Sequence, residues 1–372
     1  MIQPKAFIDA LAQGGVDFFA GVPDSLLKNL CAYITDTVPR EKNIIAANEG
    51  NAVGLAAGYH LATGKVGCVY MQNSGEGNIV NPLLSLVDED VYHIPMLLVI
   101  GWRGEPGVHD EPQHKKQGKV TLSLLETMGV PYAVLDENWE QQLAQALTQI
   151  RETNGVYALI VRKGTFEDYV LQNQTISLLP LSREEAIKIV VDKLREDDIV
   201  VSTTGMISRE LFEYREAKQQ GHAHDFLTVG SMGHASQIAL GIALQKPERR
   251  VFVFDGDGAL LMHMGGMAII GDYCPKNLVH IVFNNGAHDS VGGQPTVGLS
   301  IDLPKIAEAV GYKTVLKAEN EMELRVALSQ LKGCEKTAFI EICVRKGNRK
   351  DLGRPTTTPQ ENKCDFMANL CK

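Results

Sequence analysis

Residues Gly256–Asn285, GDGALLMHMGGMAIIGDYCPKNLVHIVFNN, restrict the fold more than any other part of the chain. The segment opens as one apolar run, Val251–Phe254, ends, and it closes as a second, Leu278–Phe283, ends. Two buried runs separated by a helix-length stretch are parallel strands with a crossover helix. That geometry puts Asp257 and Asn285 side by side at the carboxyl edge of the sheet. A carboxylate oxygen, an amide oxygen and a nearby backbone carbonyl suit a hard cation such as Mg2+, which keeps room for the oxygens of a diphosphate. Gly256 and Gly258 let the backbone approach that diphosphate, and the following helix offers it free N–H groups.

The rest of the chain fits a repeated α/β plan. Short runs rich in Val, Ile and Leu alternate with helical patterns throughout, as parallel sheets covered by helices require. The first half offers DFFAGV, NIIAAN, GCVYMQ, MLLVIG, YAVL and YALIVRK; the second offers DIVVST, DFLTVG, VFVFDG, LVHIVF, KTVLKA and FIEICVRK. Each half closes on a similar phrase, ALIVRKG at Ala158–Gly164 and IEICVRKG at Ile340–Gly347. Between them the periodicity lapses, and Ser182 with Glu185 marks the capping box of a new helix. The expectation is two related doubly wound parallel-sheet domains, residues 1–170 and 182–372, joined by a linker at 171–181. At 372 residues the chain has room for two ordinary domains and no middle one.

Composition excludes several classes of protein. A hydrophobic fraction of 44% with 22% charged residues is that of a soluble globular chain. The net charge of −9 opposes a nucleic-acid partner, whose phosphates call for basic surface. The 7 cysteines show no Cys-x-x-Cys spacing, which argues against zinc and disulfide frameworks. No leader-like segment or membrane-length apolar run is present, so a cytoplasmic protein without a membrane partner is expected.

The GDG and NN elements, at this separation, resemble the signature of thiamine-diphosphate enzymes. The resemblance implies a thiamine-diphosphate-binding fold, with an N-terminal pyrimidine-binding domain and a C-terminal domain for the diphosphate and Mg2+. It assigns the metal to Asp257, Asn285 and the carbonyl of Ala287, and cofactor contacts to Gly256, Gly258 and Ala259. Glu49, in AANEGNAVGLAAGYHLATGK (Ala46–Lys65), occupies the setting of the Glu that hydrogen-bonds the aminopyrimidine ring and promotes loss of the thiazolium proton. Taken alone, it is a Glu at a helix start, favourable to the dipole. Met232, beside Ser231 in GSMGHAS (Gly230–Ser236), stands where the family sets a bulky apolar residue under the cofactor; alone, it is a gap-filling core Met. Thr204, Gly205 and Met206, at a strand-to-helix turn, and Asn73 are further expected cofactor contacts.

Three N-terminal motifs narrow the chemistry: GVPDSLLKNL (Gly21–Leu30), MQNSGEGNIVNPLLSL (Met71–Leu86) and IGWRGEPGVHDEPQHKKQG (Ile100–Gly118). With GRPTTTP (Gly353–Pro359), they resemble the phosphonopyruvate decarboxylase group. Sulfopyruvate decarboxylase is the alternative, followed by a carboligase of the acetolactate synthase kind and a non-catalytic subunit of the same fold. The resemblance implies decarboxylation of 3-phosphonopyruvate to phosphonoacetaldehyde in phosphonate biosynthesis, by a homo-oligomer whose chains share each active site. Arg103 offers a planar fork that matches a phosphonate, with Ser25 and Gln113 as further substrate contacts. Asp24, His109 and His114 are the candidate acids. Glu105, Asp110 and Glu111 are interleaved in the same loop, so its charges could instead pair among themselves. Pyruvate decarboxylases carry an adjacent His-His pair and a Glu six residues past the metal-binding Asn; here the histidines are split and Val291 takes the second place. Glu76 stands where the family would have an apolar residue.

Overall fold

A computed structural model describes residues 1–173, 177–333 and 335–371. Residues 174–176, part of the expected linker, lie outside the described residues. The chain divides into two compact units: Met1–Gln174 with Ser290–Gln294, and Thr175–Asp289 with Pro295–Lys372.

The first unit holds a six-stranded sheet of β1 (Phe19–Gly21), β2 (Asn43–Ile45), β3 (Gly67–Gln72), β4 (Met96–Gly101), β5 (Tyr132–Val134) and β6 (Val156–Val161). Its order is β2-β1-β3-β4-β6-β5, with every pair parallel. The second unit holds β7 (Ile199–Ser202), β8 (Asp225–Leu227), β9 (Val251–Gly256), β10 (Leu278–Asn284), β11 (Thr314–Ala318) and β12 (Ala338–Cys343). Its order is β8-β7-β9-β10-β12-β11, again all parallel. Counted from its own first strand, each sheet reads 2-1-3-4-6-5. The two halves therefore repeat one topology, and no middle domain separates them.

Alternation along the strands explains why both faces are covered. Cys68, Tyr70, Leu97 and Val99 enter one core of the first unit, while Val69, Met71, Leu98 and Ile100 enter the other. In the second unit Phe252, Phe254, Ile281 and Phe283 face one core, and Val251, Val253, Leu278 and Val282 the other. A strand buried on both faces reads as a continuous apolar run, the pattern seen in the sequence. In each sheet the strand order reverses between the first and third strands, which opens a crevice at their carboxyl ends. Chain segments leaving β1 and β3, and β7 and β9, therefore meet at the edges where ligands bind. Among the described residues no helix is long and apolar enough to cross a membrane.

Candidate active site

In the second unit the register Phe283↔Gly256 sets the ends of β9 and β10 level. Asp257, the first residue of a short helix Asp257–Met262, accepts hydrogen bonds from the backbone N–H groups of Asn285 and Gly258. It also accepts one from the Thr296 hydroxyl. The carboxylate is 3% exposed, and no ion pair among the described residues balances it. Burial pushes its pKa up to about 6 against those hydrogen bonds. A buried anion without a counter-charge is what a bound cation would relieve.

Asn285 beside it is fixed by bonds at both ends of its amide. Its Nδ2 donates to Asp289 Oδ2 at 2.7 Å, which turns Oδ1 the other way, where the Ala287 N–H donates to it at 3.0 Å. Asp289 is itself held by the Gly347 N–H at 2.8 Å and by Arg183 at 3.5 Å. Arg183 opens the helix Arg183–Val191, which starts with the expected Ser182/Glu185 capping box, and it forks onto Glu210 with two bonds of 2.8 Å. The first Asn of the pair plays a different part. Asn284 bonds Glu341 and the Gly298 carbonyl, holding Gly298 so close that a Cβ there would lie 2.8 Å from Asp257 Oδ2.

The expected diphosphate contacts gather beside this pair. Gly205, at φ +102°, turns the chain from β7 into the helix Met206–Lys218, and Thr204 Oγ1 accepts the Gly230 N–H at 3.2 Å. Residues Ser231–Gly233 then lie along the helix after GDG: a Cβ at Gly233 would meet the Ala259 carbonyl at 3.0 Å. At Gly258 a Cβ would sit 3.5 Å from Met232 Cε and 3.1 Å from the His288 ring. Gly258 thus serves close packing as well as any approach of a ligand. His288 and Thr296 escaped the sequence reading. His288 lies three positions past Asn285, a signal that was present; burial lowers its pKa to about 4, so its ring is neutral at neutral pH.

In the first unit Glu49 begins the helix Glu49–Thr63 behind an Asn48 N-cap. Only 4% exposed, its carboxylate rests on Gly75, where a Cβ would lie 2.4 Å from Oε1. Its Oε2 accepts from Asn78 Nδ2 at 2.6 Å.

Across the β1–β3 crevice, Asp24 is fully buried. Its Oδ1 accepts from Gln72 Nε2 at 2.5 Å and its Oδ2 from the Leu26 N–H at 2.9 Å. Gly101, ending β4, is required there, because a Cβ would stand 2.2 Å from Asp24 Oδ2. Burial pushes the Asp24 carboxyl above its ordinary pKa despite these donors. Arg103 links the neighbouring loop to the crevice. Its Nη1 donates to Ser25 Oγ at 2.7 Å, and its Nε and Nη2 fork onto Asp110. Burial pushes the Asp110 carboxyl up, but Arg103 and the N–H groups of Glu111 and Gly104 hold it well below the usual range. The pairing of charges within this loop is real, and it leaves Arg103 two of its five N–H groups.

The other predicted residues separate. Asn73, expected at the cofactor, is spent on protein: its amide bonds both the N–H and the carbonyl of Arg103, and Thr121 Oγ1. It anchors the Arg103 loop. His109 is exposed and makes no hydrogen bond or ion pair among the described residues. His114 is buried on the helix Pro112–Thr127, with Nδ1 lacking a partner; Gln113 Oε1 lacks one too. Burial, then Arg103, lowers the His114 pKa, so its ring is neutral. Buried polar atoms without partners mark where a polar ligand would complete the bonding.

Twin parallel sheets with polar clusters at their carboxyl edges define a two-domain α/β enzyme. Residues 4–124 match the N-terminal TPP binding domain of thiamine pyrophosphate enzymes, and residues 203–342 the C-terminal TPP binding domain. The chain is 34% identical to a phosphonopyruvate decarboxylase of Streptomyces viridochromogenes, over 99% of this chain and 95% of that one. It is 33% identical to that of Streptomyces hygroscopicus, over 97% and 92%. To the sulfopyruvate decarboxylase of Methanosarcina acetivorans it is 29% identical, over 98% and 96%. The chain belongs to the thiamine-diphosphate-dependent 2-keto acid decarboxylases related to phosphonopyruvate and sulfopyruvate decarboxylases.

Proposed function

We propose that this chain decarboxylates 3-phosphonopyruvate to phosphonoacetaldehyde and carbon dioxide, as a step of phosphonate biosynthesis in the cytoplasm. The likeness to phosphonopyruvate decarboxylases along nearly the whole chain supports this reading most. Thiamine diphosphate, when bound, supplies an electron sink for the pair released as carbon dioxide departs. Asp257, Asn285 Oδ1 and the Ala287 carbonyl would hold Mg2+, a donor set of the hard oxygen type that ion prefers. Thr204, Gly205, Met206, Ser231, Met232 and Gly256–Ala259 would cradle the cofactor. Residues 1–170 would form its pyrimidine domain and 182–372 its diphosphate domain.

The remaining steps belong to this chain's side chains. Glu49 would accept a hydrogen bond from the pyrimidine ring and so raise its basicity. Ser25, Gln113 and the two open N–H groups of Arg103 would hold the phosphonate. Asp24, a buried acid whose pKa is raised, would deliver the proton that replaces the lost carboxylate; His114 is the second candidate, disfavoured because its lowered pKa leaves the imidazolium form scarce. Two copies of the chain would complete each site.

The full-length sulfopyruvate relative favours a second reading, with a sulfonate in the phosphonate's place. Steady-state assays on a panel of 2-keto acids separate them. We expect kcat/KM for phosphonopyruvate to exceed that for sulfopyruvate by at least about tenfold, roughly the value of one charge-assisted contact. Equal or reversed values would overturn the phosphonate assignment.

A further inference from the structure

The turn Asn73–Gly75 joins β3 to the helix Glu76–Pro82, and the turn and the helix each touch Glu49 once. Gly75 lies beneath the Glu49 carboxylate, and Asn78 donates to Oε2 from the other side at 2.6 Å. The two helices are pressed together at the same level: a Cβ at Gly50 would stand 3.0 Å from the Asn78 carbonyl. The Asn48 side chain caps the helix of Glu49, its Oδ1 accepting the Asn51 N–H at 2.9 Å. Glu49 has several rotatable bonds, and the Asn78 bond is the polar contact that selects one of its rotamers.

We infer that Asn78 is a positioning residue, which holds the Glu49 carboxylate in the orientation needed for cofactor activation. The inference rests on the activating role proposed for Glu49. An amide is suited to this work. It donates to one carboxylate oxygen without adding charge, and leaves the other oxygen of Glu49 to bond a ring nitrogen. An Asp of the same shape at position 78 could only accept, and would set two carboxylates against each other. A purely space-filling residue would show the opposite preference, tolerating Asp better than Ala.

The test uses the whole enzyme loaded with thiamine diphosphate and Mg2+, and reads hydrogen–deuterium exchange at the cofactor's thiazolium carbon without substrate. Calorimetry measures cofactor affinity in parallel. Asn78→Ala should slow exchange by about tenfold, the value of a charge-assisted bond, with cofactor Kd within about threefold of wild type. At pH 8 Asn78→Asp should be slower than Asn78→Ala, and Asn78→Ser, which restores a donor, should be faster. Wild-type exchange in Asn78→Ala, or Asp faster than Ala, overturns the inference. Glu49→Gln keeps the two readings apart: if it exchanges at the wild-type rate, the activating role of Glu49 fails. If it is slow while Asn78→Ala is normal, only the positioning role fails. Folding is checked by the circular-dichroism spectrum, and the backbone contact at Gly50 does not depend on the Asn78 side chain.

Discussion

Single side chains divide here into those that face a ligand and those that hold them still. Asp257 belongs to the first group in our reading. Its carboxylate is buried without an ion-pair partner among the described residues, and Thr296 only partly offsets its burial. Asp257→Ala should therefore abolish Mg2+-dependent retention of thiamine diphosphate, seen as lost heat in a titration of cofactor with Mg2+. Wild-type affinity in that variant would rule out the metal site. Arg103 belongs to both groups, being forked onto Asp110 yet keeping two N–H groups open. Arg103→Ala should lower kcat/KM for phosphonopyruvate by about 1.5–3 kcal/mol, roughly tenfold or more, while leaving thiazolium exchange nearly unchanged. If exchange slows as much as in Glu49→Gln, Arg103 acts on activation and not on substrate.

Among the elements, the turn that opens the helix Glu76–Pro82 is the least expected. Glu76 is 2% exposed, its Oε1 has no partner, and its other contact is the Thr121 hydroxyl. Burial raises its pKa from 4.5 to about 8. Below pH 4.5 the carboxyl is protonated in the folded and the unfolded chain alike, and it has no effect on stability. Between 4.5 and about 8 the unfolded chain releases the proton and the folded chain keeps it. Stability is then lost as pH rises, by up to about 1.4 kcal/mol per unit, and levels off above 8. Glu76→Gln removes that loss. Urea denaturation should show the variant gaining on wild type by about 2–4 kcal/mol between pH 5 and pH 8. Parallel pH profiles would mean that Glu76 ionises freely. The presence of an acid here was legible in the sequence. Its protonation comes from burial, against the opposing bond from Thr121, and both arise only when distant parts of the chain meet on folding.

At the scale of the whole molecule, one topology used twice gives each unit a crevice at the same sheet edge. In our reading the two crevices bind opposite ends of one cofactor, and each site is completed by a second chain. Glu49→Gln and Asp257→Ala chains, each inactive alone, should then recover activity on mixing. Random exchange into dimers makes half of them hybrids, each with one intact site, so about a quarter of wild-type activity is expected. No recovery in mixed oligomers verified by mass spectrometry would show that each site lies within one chain.

The sequence by itself determined the elements that depend on local pattern. All twelve apolar runs read as strands are strands, and the inner ones, buried on both faces, have to be apolar along their length. Asp257 and Asn285 could be paired from sequence because each ends a strand, and neighbouring parallel strands end level. Only the tertiary structure decided which polar side chains are free. Asn73 and Arg103 look alike as ligands in sequence, yet Asn73 is consumed by the Arg103 backbone and Arg103 keeps open donors. His109 and His114 lie five residues apart; one is exposed, and the other is buried with an unpartnered nitrogen. Gln72 on Asp24, Asn78 on Glu49 and Thr296 on Asp257 are bonds between distant positions. A hydrogen bond depends on where two atoms come to rest, and periodicity along a chain carries no information about that.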